Sequence, residues 1–354
     1  MPHAITLSGG GAYGAFEVGV LKALMGGHAR VTNGEPLAPQ IFTGTSAGAY
    51  NAAVLLSADA RGPRERADHL ESVWLSEVME SPERGGNGCY YLRGDLRRYL
   101  DTTRLSRHPA ESFQWAAADV SFFASDMLTR LGAMATSHEP LDRRTLELFD
   151  LSSLVSTEPY QNLVKRTVVI DAIRNSALQI RIAATNWKTG ELKIFENPDI
   201  THDAVLASAA IPGIFPPIQI NGDPYVDGGL LMNTPLKAAI DLGADVIHVI
   251  ALDPAIADVP PSTLPNTLDT MERLLNITNS SRIDTDLKLA KAVNKALPND
   301  PEHRRIQVHV YRPEADMGGV FGMLNFNSNR IRQMIQQGYQ EALDHRCEVN
   351  GCVL

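Results

Sequence analysis

The chain has 354 residues, 44% of them hydrophobic, enough to bury a substantial core as one elaborated domain or two ordinary ones. Its formal net charge of -9 excludes a general polyanion partner, because binding nucleic acid or an anionic membrane by counterion release needs a basic surface. Any lipid contact is therefore expected to be local and apolar.

The nine arginines from Arg61 to Arg107 are interleaved with eight carboxylates from Glu65 to Asp101, so they read as solvated helix faces. Residues Pro36 to Ala58 carry no charge, but Pro36, Pro39, Gly44, Gly48 and Asn51 break up the run, and Pro212, Pro216 and Pro217 do the same from Ala204 to Gly222. Neither reads as a membrane span. With no basic residue before Lys22, the N-terminus does not resemble a Sec signal, and a cytoplasmic location is expected. Cys89, Cys347 and Cys352 form no disulfide framework, and their spacing suggests no zinc. Cys352 is third from the end, one place short of a prenylation signal.

Taken in order, a strand at Ala4 to Ser8 runs into Gly9-Gly10-Gly11-Ala12-Tyr13-Gly14, and a helix follows with Phe16, Val20, Leu21 and Leu24 at helical spacing. Such a loop presents N-H groups at the positive end of a helix and stabilises a phosphate or an oxyanion. A second buried strand leads into Gly44-Thr45-Ser46-Ala47-Gly48, then an alanine-rich helix to Leu56. This G-x-S-x-G spacing is that of a nucleophile elbow, with a serine that merely caps the helix as the plainer alternative. Trp115 to Thr136 reads as a helix with Asp119, Asp126 and Arg130 on one stripe and apolar residues over a wide arc; it is either an inter-helix element or a cap that meets lipid.

Strands are expected at Arg166 to Ile173, Ile180 to Thr185 and Glu191 to Phe195, then a short helix from Ala204 to Ala210. Asn221-Gly222 marks a hairpin between Pro217 to Ile220 and Pro224 to Asp227, so Asp227 ends a strand just before Gly228-Gly229. Thr234 is expected to cap a helix closed by Gly243, followed by a strand from Val246 to Ile250. The remainder reads as a broken helix from Leu264 to Leu297, a strand from Ile306 to Tyr311 and a helix from about Asn327 to Arg346. Alternating elements predict an α/β fold with a largely parallel sheet between helical layers.

Gly9, Gly11 and Gly14 also fit the dinucleotide-binding fingerprint, yet the second strand ends on Gly44-Thr45-Ser46 where an acidic residue for the ribose belongs. A serine needs a base. The histidines downstream of Ser46 are His248 and His309 in apolar strands, His303 in a charged linker and His345 near the C-terminus, and none stands out as a triad member. Asp227, at a glycine-permitted turn, is the stronger candidate base.

Together the glycine loop, the elbow, the block Ala207-Ser208-Ala209-Ala210-Ile211-Pro212-Gly213-Ile214-Phe215-Pro216-Pro217 and Asp227-Gly228-Gly229 resemble, in that order, the patatin-like phospholipases. The resemblance implies a three-layer α/β/α fold and a Ser-Asp dyad of Ser46 and Asp227. It further implies an oxyanion loop of Gly9, Gly10, Gly11 and Gly14, an elbow shaped by Gly44 and Gly48, and a base turn of Gly228 and Gly229. The implied activity is hydrolysis of fatty-acyl esters, with no metal or organic cofactor. Tyr13 stands where members often carry Arg or Lys, a cation suited to a phospholipid head group. The expected organisation is one domain over 1–354, with a helical cap at 85–163 and a C-terminal helical extension at 264–354. A catalytically idle lipid-binding protein on the same fold is the competing class. Oligomeric state is not legible.

Overall fold

The computed structural model describes residues 1–58, 61–95, 99, 109–136, 154–253, 267–296, 305–314, 317–318 and 322–354. Within them the strands are β1 (His3–Leu7), β2 (Ile41–Thr45), β3 (Tyr91–Leu92), β4 (Val155–Ser156), β5 (Gln179–Asn186), β6 (Leu192–Glu196), β7 (Ile218–Ile220), β8 (Asp223–Asp227), β9 (Val246–Ile250) and β10 (Gln307–Tyr311). The α-helices are α1 (Gly14–Met25), α2 (Ala47–Ser57), α3 (Pro63–Val73), α4 (Pro109–Thr136), α5 (Glu158–Thr167), α6 (Ile170–Arg174), α7 (His202–Ser208), α8 (Leu236–Asp241), α9 (Thr267–Ala296) and α10 (Ser328–Leu343).

Strands β10, β9, β1, β2 and β5 lie side by side and parallel. Each residue of β2 and β9 is buried, as expected of strands covered on both faces by helices. Strand β6 pairs antiparallel with β5 along one edge. On the other edge two strands share β5 end to end: β2 pairs with it up to Thr45 opposite Ala183, and antiparallel β8 takes over at Asp227 opposite Ala184. The hairpin of β7 and β8 turns at Asn221-Gly222, both at positive φ, as the Asn-Gly signal predicts. The result is a mixed, mostly parallel sheet flanked by helices, a three-layer α/β/α fold.

Helix α1 packs against α10 where Gly19 meets the backbone of Ile335 and Tyr339, and Gly338 meets that of Phe16; a Cβ at either glycine would force the helices apart. Strand β10 extends the central sheet from the C-terminal part of the chain.

Three elements differ from expectation. Residues 166–173 are not a strand: α5 runs to Thr167 and α6 starts at Ile170, leaving Val168 and Val169 extended between them. Both edges of β5 are already taken, so the β-branched run has no ladder partner there. Thr234 does not cap α8; its hydroxyl pairs with that of Ser8 at 2.7 Å, and Pro235 holds the cap position. Helix α9 is unbroken through the Asn276-Ile277-Thr278-Asn279 stretch, where Thr278 bonds back to the Leu274 carbonyl at 2.7 Å instead of competing for the backbone.

Helix α4 turns its polar stripe toward the protein. Asp119, 3% exposed, accepts from the Gly94 N-H at 3.1 Å and from the Tyr99 hydroxyl, and Asp126 pairs with Arg130 at 2.7 Å. Phe113, Val120 and Leu128 are left exposed. Among the described residues no helix is long and apolar enough to cross a membrane. The part of the expected cap at 137–153 lies outside the described residues, as does His303.

Candidate active site

Ser46 occupies the junction between β2 and α2 with φ 54° and ψ -120°, and its side chain makes no capping bond to the helix. The capping alternative is thereby removed. A non-glycine residue at positive φ costs on the order of 1–3 kcal/mol and persists only when its surroundings hold it. Here the Ser46 N-H donates to the Ser208 hydroxyl at 2.9 Å, and that hydroxyl donates to the Ala183 carbonyl at 2.7 Å. The elbow is tight because Gly44 and Gly48 lie back to back: a Cβ on Gly44 would come within 2.5 Å of the Gly48 carbonyl oxygen.

Asp227 arrives on β8 and is 7% exposed. Its N-H donates to the Ala210 carbonyl at 2.9 Å, and one carboxylate oxygen accepts from the Gly229 N-H at 2.7 Å. Burial pushes its pKa from 3.8 up to about 6, opposed by the Gly229 N-H and by a hydrogen bond from the Ser46 side chain. The Ser46 side chain is therefore near enough to the carboxylate to favour its charged form. Gly228 fits against the Ala183 carbonyl carbon, where a Cβ would lie at 2.6 Å.

The glycine loop stands beside the pair, with Gly9 so close that a Cβ on it would sit 3.0 Å from the Ser46 Cβ. Its four glycines are not equivalent. The Gly9 N-H donates to the Asn233 carbonyl at 3.1 Å, and the Gly14 N-H turns back on the Gly11 carbonyl, so both donors are already used within the protein. Gly14 serves the packing of Ala47 and Trp74 instead. Gly10 faces Leu252, while Gly11, at φ 55°, lines the cavity under Met323.

That cavity, of about 50 Å³, is walled by Ser46, Tyr50, Trp74, Phe215, Met323 and Phe326 among others. It is lined mainly by apolar carbon, and no histidine lines it among the described residues. His248, 2% exposed, is stacked between His3 and His309 in the sheet. Burial and the neighbouring histidines hold its pKa well below the ordinary value, so it is a neutral structural ring. The Arg330 guanidinium, supplied by α10, lies 5.9 Å from the Tyr13 ring centroid.

Several residues around the site carry no local signal. The Asn233 amide donates to the Gly9 carbonyl at 3.3 Å and to Asp253 at 2.9 Å, tying the loop to a carboxyl that burial pushes up to about 6. Beneath the loop, fully buried Glu17 accepts from Asn51 at 2.8 Å, and Asn51 in turn accepts from the Trp74 indole at 2.8 Å. Burial drives the Glu17 pKa well above 4.5, with Asn51 and the Ser8 backbone opposing. Elsewhere, His309, His345, Cys347 and Cys352 bring ligand-type atoms within 4.8 Å of one another, a grouping that cysteine spacing alone does not reveal.

The patatin-like phospholipase family model matches residues 5–240, a span that takes in the glycine loop, Ser46, Ser208 and Asp227. Among solved structures, VipD from Legionella pneumophila is 14% identical over 97% of this chain and 66% of its own, with a TM-score of 0.39. The type III effector protein ExoU is 15% identical over 99% of this chain and 53% of its own, with a TM-score of 0.34. The chain thus spans less than two thirds of the length of either. The family model covers well over half of the chain, with Ser46, Asp227 and the glycine loop inside it: the chain belongs to the patatin-like phospholipase family.

Proposed function

We propose that this protein is a lipid acyl hydrolase of the phospholipase A, lysophospholipase or carboxylesterase type, acting through a Ser46–Asp227 dyad and an acyl-serine intermediate. The observation that carries it is a strained serine lining an apolar cavity beside a buried aspartate whose basicity is raised by burial. Asp227 takes the Ser46 proton as the oxygen attacks the ester carbonyl. At a pKa of about 6 it is ionised at neutral pH yet a stronger base than an ordinary aspartate. The oxyanion faces the loop, where Gly10 and Gly11 offer N-H groups that are uncommitted among the described residues. The leaving alcohol recovers the proton from Asp227, and a water deprotonated by the same carboxylate then releases the fatty acid. Donors of this kind are each worth about 100- to 1000-fold in rate.

The cavity holds only a few water-sized groups, so a long acyl chain enters by displacing its wall, of which Met323 and Phe326 are the C-terminal part. We place residues 85–163 as a cap and 264–354 as an extension of one domain. The outward apolar side of α4 supports a transient, non-ionic contact with a lipid surface, in keeping with the net charge of -9. Changing Val120 and Leu128 to Ser is expected to lower turnover of vesicle lipid while sparing a soluble ester; equal losses on both would count against the contact.

The central test is turnover of p-nitrophenyl acyl esters by wild type, Ser46→Ala and Asp227→Asn. Both variants are expected to fall by at least about 1000-fold. Equal rates in all three would leave only an idle lipid-binding role. A lipid panel read by mass spectrometry then assigns head group and acyl position.

A further inference from the structure

We propose that His309, His345, Cys347 and Cys352 form a structural zinc site that clasps the C-terminal tail to the edge of the central sheet. The four side chains come from two places. His309 lies on edge strand β10, and the other three follow α10 in the run His345-Arg346-Cys347-Glu348-Val349-Asn350-Gly351-Cys352. A closed turn brings the cysteines together: the N-H groups of Val349 and Asn350 both donate to the Arg346 carbonyl, at 3.0 and 2.9 Å, and the Cys352 N-H donates to the Cys347 carbonyl at 3.2 Å. Gly351 sits at φ 75°, a conformation the turn requires and other residues resist. The tail then pairs with β10 through reciprocal bonds between Val308 and Val353 of 2.7 and 2.8 Å.

The distances fit one central ion. A tetrahedral zinc with sulfur at about 2.3 Å and nitrogen at about 2.0 Å sets sulfur and nitrogen about 3.5 Å apart. The observed edges are 3.3 Å from His309 Nδ1 to Cys347 Sγ, 3.6 Å from Cys347 Sγ to His345 Nε2 and 3.4 Å from Cys352 Sγ to His345 Nε2. All four ligand atoms lie within 4.8 Å of one another. Hydrogen bonding accounts for this less well, because one imidazole nitrogen, with a single lone pair, has both thiols against it. An ion satisfies both at once.

The surroundings are those of a metal–thiolate centre. The Val310 N-H donates to Cys352 Sγ at 3.3 Å, and the His345 ring is packed on Tyr311 with centroids 4.4 Å apart. On binding, each thiol releases its proton to solvent, and two thiolates with two neutral imidazoles leave the site with no net charge, which suits its partly buried position. Four protein ligands leave no open position, so the role is structural and not catalytic. The gain is at an exposed sheet edge. Tying the tail across β10 covers backbone groups that otherwise recruit another strand.

The full chain, purified from zinc-supplemented cells and dialysed against metal-free buffer, is expected to carry about one zinc per chain by elemental mass spectrometry. Cys347→Ser with Cys352→Ser is expected to cut this at least about tenfold, with Cys89→Ser keeping it. Should the double variant fail to fold, cobalt titration of the chelator-stripped wild-type chain decides. Intense visible bands of tetrahedral cobalt with thiolate charge transfer, and a higher melting temperature with metal than without, support the site. A chain that takes up no stoichiometric zinc or cobalt, or one isolated with a Cys347–Cys352 disulfide, overturns it. Zinc content unchanged in a folded double variant does so too.

Discussion

Asn233 grips Gly9 through both ends of one residue, its carbonyl accepting the Gly9 N-H at 3.1 Å and its side-chain amide donating to the Gly9 carbonyl at 3.3 Å. The amide also reaches Asp253, so the loop beside Ser46 is fastened to the end of β9. Removing the amide in Asn233→Ala leaves buried acceptors unpaired, a cost of about 1–3 kcal/mol. If that cost falls on the loop's position in the transition state, kcat drops roughly 10- to 100-fold while KM moves little. Steady-state kinetics on a soluble ester check this. A change confined to the melting temperature would show that Asn233 serves stability alone.

Ser208 is the acceptor that makes the backbone of Ser46 tenable. Without its hydroxyl, the Ser46 N-H has no side-chain partner and the strained φ loses its restraint. Ser208→Ala is expected to lower kcat/KM about 10- to 100-fold with a modest fall in melting temperature. Ser208→Thr keeps the hydroxyl and is expected to recover part of the loss. An unchanged rate in Ser208→Ala would remove Ser208 from the positioning of Ser46.

As the proposed base, Asp227 works only when ionised. The logarithm of kcat/KM is therefore expected to climb with pH through about 6 and level off above it, measured on a neutral ester. Stability runs the other way. A folded-state pKa raised from 3.8 to about 6 means that the contribution of Asp227 to stability is fully present below 3.8 and is lost as pH rises to about 6. Asp227→Asn avoids that loss, and at neutral pH it is expected to be more stable by up to about 3 kcal/mol while inactive. Urea unfolding at pH 7 checks it; a variant less stable than wild type would contradict the burial argument.

Glu17 has the same sign with a different role. Its folded-state pKa lies well above 4.5, so the wild-type chain loses stability as pH rises past 4.5 toward that raised value. Glu17→Gln keeps the shape and the hydrogen bond from Asn51 without the ionisation. The stability difference between variant and wild type is expected to grow in favour of Gln with rising pH and to shrink at acid pH. Denaturant unfolding across that range reads it, and a difference independent of pH would assign Glu17 an ionised state.

The elements that carry a local chemical signature were legible before the fold. Gly44 and Gly48 around Ser46, the Asn221-Gly222 turn before Asp227 and the buried runs of β2 and β9 each follow from backbone sterics or burial within a few residues. Asn233, Ser208, Glu17 and the His345–Cys352 tail were not, because each acts on a partner far along the chain. The same holds in reverse for Gly9 and Gly14, whose motif suggests oxyanion donors while their N-H groups are spent on Asn233 and Gly11. Competition between a local and a distant partner also explains Thr234, which chooses Ser8 over its own helix.

Two strand tips converge on consecutive rungs of β5, Thr45 at Ala183 and Asp227 at Ala184, and that stacking is what brings distant stretches of chain together. Loops elsewhere can lengthen or shorten without parting them. A single residue inserted into β5 between Ala183 and Ala184 would pull the tips apart by about 3.3 Å, enough to break the proposed proton hand-over. The fold is thus permissive of growth around Ser46 and Asp227 and unforgiving along one eight-residue ruler.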